Sequence, residues 1–178
     1  MPNGRFVHLL YVCTGNICRS PTAERLSQAH CATTGNFRLD ASSAGTRAVI
    51  GSPMQAEAES VLARLGGNSS NFTARQLTAR VASGADLILA MTRAHRDAVL
   101  ELAPQKLHRT FTLAEASRLI SDHGVRTVAD LAARRSSLTA DESLDILDPI
   151  GQSPKVFAEI GSQIAHLLPP ILEVCQNE

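Results

Sequence analysis

Apolar runs alternate along the chain with segments whose apolar residues are spaced as on one face of a helix. Phe6–Val12 and Ala85–Met91 are nearly continuous apolar runs rich in β-forming residues, the pattern of strands buried on both faces of a parallel sheet. Two shorter candidate strands lie at Arg38–Ala44 and within Leu107–Leu113. Strands that alternate with helices predict an α/β fold, an open parallel sheet of about four strands with helices on both faces.

Capping residues mark the helices between these strands. Ser20 followed by Pro21 predicts an N-cap and a first helical residue, and Gly51–Pro53 begins a second helix that Gly66 and Gly67 end. A third helix is predicted over Arg93–Leu102.

The C-terminal third of the chain is less regular. Lys155–Leu168 predicts a last helix, which Pro169 and Pro170 are expected to interrupt. Ser121–Asp145 predicts a short helix and a solvated acidic loop that includes Asp141 and Glu142. The length of 178 residues suits one domain over the whole chain, 1–178.

Composition narrows the classes of function. Lys+Arg and Asp+Glu are 17 each, and aromatic residues are only 3%, so neither a basic surface nor stacking side chains favour nucleic-acid binding. The sequence contains no unbroken apolar run of about 18 residues, so no membrane span is expected. Four cysteines without a Cys-x-x-Cys pair indicate a reducing, cytoplasmic location, and the scattered histidines predict no metal site. Nothing in the composition indicates the oligomeric state, and a monomer or a weak dimer is equally compatible.

The segment between the first strand and the first helix carries the candidate chemistry. It contains Cys13, five further residues, Arg19 and then Ser20, and it matches neither a Walker loop nor a dinucleotide fingerprint. A loop this short that leads into a helix can turn its backbone N–H groups inward and bind an anion. Gly15 and Asn16 are residue types that tolerate the left-handed backbone such a loop needs.

Cys13 and Arg19 each fit this anion-binding loop. A thiolate at its mouth is stabilised by the N–H groups and by the helix dipole. A cation at a helix N-terminus opposes the dipole, so Arg19 is better explained if it shares a bound anion with the N–H groups. Its planar guanidinium suits two oxygens of a phosphate.

Val12–Glu24 resembles the signature of the low-molecular-weight protein tyrosine phosphatases, and Asp145–Gly151, with its Asp-Pro pair, resembles the family's second signature. Ser42–Thr46, Ala74–Leu77 and Ala85–Met91 are further partial matches in the family's order. The resemblance implies a flavodoxin-like fold, no cofactor, and a phosphorylated protein or a small aryl phosphate as substrate.

The resemblance also implies roles for individual residues. Cys13 is expected to attack phosphorus and form a phosphocysteine, Arg19 to clamp the phosphoryl oxygens, and Asp148 to act as general acid and then general base. The remaining expected substrate-binding residues are Thr14, Gly15, Asn16, Ile17, Cys18 and Ser20. Ser20 is expected to donate to the Cys13 sulfur, and Ser43 is expected to support Asn16.

Several positions depart from the pattern that the resemblance implies. Phe72 stands where many members have a His that supports the loop. Val49, Ile150 and Gly151 stand where members often place aromatic residues around the substrate ring. Ile17 favours phosphotyrosine, because the arginine-phosphatase branch tends to have Thr at that place.

Three alternative functions follow from the same residues. A protein arginine phosphatase shares the loop and is the main alternative. An arsenate reductase needs further mid-chain cysteines, whereas no cysteine lies between Cys31 and Cys175. A non-catalytic phosphate-binding module would be expected to lack Cys13 or Asp148, and both are present. The proximity of Cys18 to Cys13 also predicts regulation by oxidation.

Overall fold

Four parallel strands form one sheet at the centre of the computed structural model, which describes residues 6–35, 38–138 and 144–177. The strands are β1 (Val7–Cys13), β2 (Leu39–Gly45), β3 (Leu87–Ala90) and β4 (Thr110–Thr112), in the spatial order β2-β1-β3-β4. β1 pairs with both β2 and β3, so its carboxyl end is flanked on both sides. The predicted open parallel sheet is confirmed, and this end of its central strand is where α/β proteins bind ligands.

Seven α-helices are described: α1 (Arg19–Thr34), α2 (Ala56–Arg64), α3 (Ala79–Ser83), α4 (Arg93–Leu102), α5 (Leu113–His123), α6 (Val128–Arg134) and α7 (Pro154–Gln176). α1, α5 and α7 pack against one face of the sheet, and α3 and α4 pack against the other. α2 packs against α7 and α1 beside the first face. Because both faces are covered, β1 and β3 are apolar almost throughout, as the sequence pattern predicted.

The C-terminal helix is longer than predicted. α7 continues through Pro169 and Pro170 to Gln176, so the expected interruption is wrong. A proline inside a helix costs about 3 kcal/mol through its missing N–H and its clash with the preceding turn. Ile171 and Leu172, which follow the prolines, are almost completely buried, and each such side chain contributes about 1.5–3 kcal/mol. Core packing therefore outweighs the local cost of the prolines.

Two helices were not predicted from the sequence. α3 and α5 both begin after a threonine N-cap, and at α5 Thr112 and Glu115 form a complete capping box. The spacing of three residues between Thr112 and Glu115 can be recognised in the sequence as a capping box. The short helix predicted within Ser121–Asp145 corresponds to α6, whereas the acidic residues Asp141 and Glu142 lie outside the described residues.

Candidate active site

The loop between β1 and α1 has its carbonyl groups turned outward. Four of its carbonyls, from Cys13 to Ile17, accept hydrogen bonds from backbone N–H groups of the segment 46–55 at 2.9 Å each. Among the described residues, none accepts a hydrogen bond from the N–H groups of residues 14–18. Gly45 permits this packing, because a Cβ there would lie 2.4 Å from the Thr14 carbonyl oxygen. We call residues 13–19 the phosphate cradle, because inward N–H groups at a helix N-terminus favour a bound anion.

Asn16 fixes the shape of the phosphate cradle from inside. It is completely buried with a φ of 56°, and its Oδ1 accepts from the Arg75 N–H at 2.8 Å. Its Nδ2 group donates to Ser43 Oγ at 2.8 Å and to Ser20 Oγ at 2.9 Å. Both contacts are direct, with Phe72 at the position where the resemblance implies a supporting histidine. The sequence analysis did not single out Arg75, whose backbone N–H determines the orientation of the amide.

Ser20 lies beside the candidate nucleophile. Its Oγ is 2.9 Å from Cys13 Sγ, and both residues are buried. Because Ser20 Oγ already accepts from Asn16, its own hydrogen is available for the sulfur. The prediction that Ser20 is an N-cap is wrong: α1 begins at Arg19, its N-cap position is Cys18, and no side chain caps it. The hydroxyl contacts the thiol instead of the helix end.

Glu24 extends this hydrogen-bonded chain into the core. Ser43 Oγ donates a hydrogen bond to Glu24 Oε2 and accepts one from Asn16 Nδ2. Burial raises the pKa of Glu24, and the hydrogen bond from Ser43 opposes that rise. The sequence analysis interpreted Glu24 only as a favourable first-turn residue, because nothing local indicates that it contacts β2.

Arg19 connects the phosphate cradle to the distant Asp-Pro segment. Its guanidinium donates through Nη1 to the Ile146 carbonyl at 2.9 Å, and its Nη2 lies 2.9 Å from Asp148 Oδ2. Arg19 is buried, whereas the side chain of Asp148 is half exposed. Asp145 accepts from the Arg93 N–H at 2.7 Å and so holds the segment against the start of α4. The structure thus brings Arg19 and Asp148 into contact at the end of the loop that begins with Cys13.

Two polar residues at the start of α4, its N-cap Thr92 and His95 in its first turn, also face the cradle. His95 Nε2 lies 2.8 Å from Thr14 Oγ1, and His95 Nδ1 lies 2.9 Å from Thr92 Oγ1. Burial and the nearby Arg19 guanidinium lower the pKa of His95 to about 4. All three residues line one cavity of about 450 Å³ together with Arg19 and Asp148. The sequence analysis did not identify Thr92 or His95.

Aliphatic residues occupy the positions expected at the mouth of the cradle. Ile17 is half-buried, and Val49 donates its N–H to the Gly15 carbonyl. Val49 and Ile150 are each about half exposed, with Ile50 and Leu147 more exposed still. No aromatic residue stands at the positions where the sequence analysis looked for one.

All four cysteines are free thiols and buried. Burial, with a smaller effect from Cys13, raises the pKa of Cys18 to about 12, so this thiol is protonated at neutral pH. Within the ranges that the structure describes, no three His, Cys, Asp or Glu residues are grouped as metal ligands. None of the described helices is long and apolar enough to cross a membrane.

A parallel sheet with a Cys- and Arg-containing anion cradle after its central strand defines an α/β protein with a phosphate-binding site. A family model described as low molecular weight phosphotyrosine protein phosphatase matches residues 8–130. The chain therefore belongs to this family.

Named relatives agree with this assignment. Over 100 residues, 56% of this chain, it is 40% identical to the low molecular weight protein-tyrosine-phosphatase Wzb of Escherichia coli K12, and the match spans 65% of that relative. Etp of the same strain is 36% identical over 111 residues, which are 62% of this chain and 72% of Etp.

Solved structures resemble the chain over almost its whole length. The low molecular weight protein tyrosine phosphatase from T. tengcongensis superposes with a TM-score of 0.75 at 29% identity, covering 94% of this chain and 98% of that one. The YwlE arginine phosphatase from Geobacillus stearothermophilus gives a TM-score of 0.74 at 29% identity, covering 96% and 94%. A tyrosine phosphatase and an arginine phosphatase are thus equally similar in fold to this chain.

Proposed function

We propose that this protein hydrolyses phosphotyrosine or other aryl phosphate monoesters through a phosphocysteine on Cys13. The observation that carries the proposal is the placement of Cys13 Sγ, with Ser20 Oγ 2.9 Å away, in a cradle that contains Arg19 and whose N–H groups at 14–18 have no acceptor among the described residues. Positive charge and N–H dipoles placed around a transferring phosphoryl group stabilise the charge of its transition state. Catalysis by a free Cys13 thiol also makes a reducing, cytoplasmic location part of the proposal.

The first step transfers the phosphoryl group to sulfur. The Cys13 thiolate attacks phosphorus, a P–S bond forms, and the bond from phosphorus to the phenolic oxygen breaks. Asp148 gives its proton to that oxygen, so the phenol leaves neutral. In the second step the Asp148 carboxylate takes a proton from water, whose oxygen attacks phosphorus. The P–S bond breaks, which releases phosphate and restores the thiolate and the protonated Asp148.

The ion pair between Arg19 and Asp148 links binding of the substrate to release of the acid. Without substrate the guanidinium lies 2.9 Å from the carboxylate. A phosphate dianion in the cradle competes for the same guanidinium and brings negative charge close to Asp148. Both effects weaken the ion pair, so the Asp148 carboxyl group is released to contact the leaving oxygen.

The apolar side of the cradle mouth supports an aryl substrate. Ile17 and Val49 both lie within 4 Å of the position that a Cβ on Gly15 would occupy, so they form a continuous aliphatic surface. Wzb from Vibrio vulnificus, 28% identical with a TM-score of 0.72, was solved in complex with benzylphosphonate, a ring carried on a phosphonate. An aliphatic surface buries part of such a ring. It does not add the further stabilisation of about 0.5–1.5 kcal/mol that a pair of aromatic rings provides.

A protein arginine phosphatase is the second candidate, and the acidic side of the same mouth favours it. Asp145 and Asp148 line the cavity beside Arg19, and a guanidinium pairs well with carboxylates. Asp145 already accepts from Arg93, and Ile17 offers no hydroxyl to a guanidinium. These two facts favour the aryl phosphate.

Steady-state kinetics on matched peptides tests the proposal. Phosphotyrosine, phosphoarginine and phosphoserine are placed in one peptide sequence and assayed with the wild type, Ile17→Thr and Ile150→Tyr. We expect the highest kcat/KM on phosphotyrosine, and a lower KM with little change in kcat for Ile150→Tyr, because the ring adds mostly uniform binding. Higher kcat/KM of the wild type on phosphoarginine would establish the second candidate instead.

A further inference from the structure

His95 is a buried polar residue at the cradle for which the proposed reaction gives no role. It lies in the first turn of α4, is 7% exposed, and contacts the cradle through Thr14. Thr14 directly follows Cys13 and lines the cavity that Arg19 and Asp148 also line. The contact joins the connection after β3 to the loop after β1.

Thr92 holds the imidazole from its other side. As the N-cap of α4, its Oγ1 accepts from the His95 backbone N–H at 3.2 Å. The same oxygen lies 2.9 Å from His95 Nδ1, so the Thr92 hydroxyl has a hydrogen that can be donated to this nitrogen. If Nδ1 accepts, the neutral ring carries its hydrogen on Nε2, which faces Thr14.

The tautomer of His95 determines the direction of the Thr14 hydroxyl. When Nε2 donates to Thr14 Oγ1, the hydrogen of Thr14 is available for an anion in the cradle. In the other tautomer Thr14 donates to Nε2 and turns only lone pairs towards the anion, which is repulsive. A bound phosphate therefore selects the ring with its hydrogen on Nε2.

We propose that His95 is a positioning residue that directs the Thr14 hydroxyl at the bound phosphoryl group as an additional hydrogen-bond donor. The inference rests on the proposed function for its substrate, but the phosphate contact itself does not depend on turnover. The neutral state of the ring agrees with its low pKa of about 4, which follows from burial and from Arg19. His95 therefore does not add a second positive charge beside Arg19.

Substitutions test the pathway through Thr14. The affinity for inorganic phosphate, and kcat and KM for an aryl phosphate, are measured for Thr14→Val, Thr14→Ser, His95→Leu, His95→Gln and the double variant Thr14→Val/His95→Leu. We expect Thr14→Val and His95→Leu each to weaken phosphate binding about tenfold to a hundredfold, the loss of one hydrogen bond to a charged group. Thr14→Ser and His95→Gln, which keep a hydroxyl and an N–H donor, should recover most of that loss.

The double variant separates positioning from an independent effect. If His95 acts through Thr14, the double variant binds phosphate no more weakly than whichever single variant has the lower phosphate affinity. The proposal would be overturned if the fold-losses in phosphate affinity of the two single variants multiply in the double variant. It would also be overturned if folded His95→Leu binds phosphate as tightly as the wild type.

Nitrogen chemical shifts of the imidazole test the proposal in the wild type, even if His95→Leu does not fold. With the His95 resonances assigned through His95→Gln, we expect phosphate to give a neutral ring protonated on Nε2. A ring protonated on Nδ1, or one that phosphate leaves unchanged, contradicts the inference. Inactivity of a wild type that shows the expected tautomer would refute the proposed function alone.

Discussion

The guanidinium of Arg19 and the carboxylate of Asp148 are joined by a contact of 2.9 Å between Nη2 and Oδ2, although 129 positions separate them (148 − 19). The other arm of Arg19 donates to the Ile146 carbonyl, so one buried cation contacts the Asp-Pro segment at two points. In the proposed reaction the residue that clamps the phosphate also holds the proton donor, so binding of the anion is coupled to release of the acid.

Replacing Asp148 should slow hydrolysis most for leaving groups of high pKa, which need a proton in order to leave. Asp148→Asn is expected to reduce kcat/KM by about 10²–10⁴-fold for phenols of high pKa and by much less for phenols of low pKa. A series of substituted aryl phosphates measures this slope. Asp145→Asn is the matched control, since it removes a carboxylate that binds Arg93 rather than Arg19. Equal slowing along the series would exclude Asp148 as the acid.

The hydrogen-bonded chain behind Cys13 should be important for both stability and activity. Ser43→Ala leaves an Asn16 N–H without its acceptor and the Oε2 atom of Glu24 without its donor, so we expect the free energy of unfolding to fall by about 1–3 kcal/mol. Loss of this support also loosens the cradle, so kcat should decrease. Ser42→Ala on the same strand is the control, because Ser42 contacts His8 instead. Similar stability and kcat of the two variants would argue against the chain.

His95 should make the folded protein less stable in mild acid. Its pKa is lowered from 6.5 to about 4, so between these values the unfolded chain binds more protons than the folded one. The contribution of neutral His95 is complete above pH 6.5 and is lost as the pH falls, by on the order of 3 kcal/mol. Urea unfolding of the wild type and His95→Gln from pH 7 to pH 4 isolates this difference. Parallel stability curves would mean that His95 titrates normally.

Peroxide should inactivate the protein through a disulfide between Cys13 and Cys18. The Cys13 thiolate is oxidised first, and the neighbouring thiol then traps the sulfenic acid. Because the pKa of Cys18 is about 12, trapping should be slow and should accelerate as the pH rises. Peptide mapping by mass spectrometry identifies the linkage, and Cys31→Ser serves as a control that keeps both thiols. Cys18→Ser should make the inactivation harder to reverse, because an untrapped sulfenic acid can oxidise further. Full recovery of oxidised Cys18→Ser by reductant would contradict the prediction.

The predictable parts of the molecule are those encoded locally. The apolar runs of β1 and β3 and the cradle between Cys13 and Arg19 each lie within a few consecutive residues, and the order of such elements was enough to predict the open parallel sheet. The interruption at Pro169 was predicted wrongly because tertiary packing of Ile171 and Leu172 outweighs the local preference.

The supporting shell of the site was less predictable. Glu24, Arg75 and His95 reach the cradle from other elements, through contacts that have no fixed spacing in sequence. Only the complete fold shows that α4 begins beside the loop after β1. The capping box at Thr112, in contrast, was readable from its spacing alone.

The most direct test of the account is a search for the covalent intermediate. Asp148→Asn is mixed with an aryl phosphate of good leaving group, quenched in acid within milliseconds and analysed by peptide mass spectrometry. Because hydrolysis of the intermediate needs Asp148 as a base, we predict that a phosphoryl group accumulates on Cys13 and that Asp148→Asn/Cys13→Ser forms no phosphocysteine. Turnover of the wild type with phosphate on another residue, or turnover that survives Cys13→Ser, would contradict the proposed function.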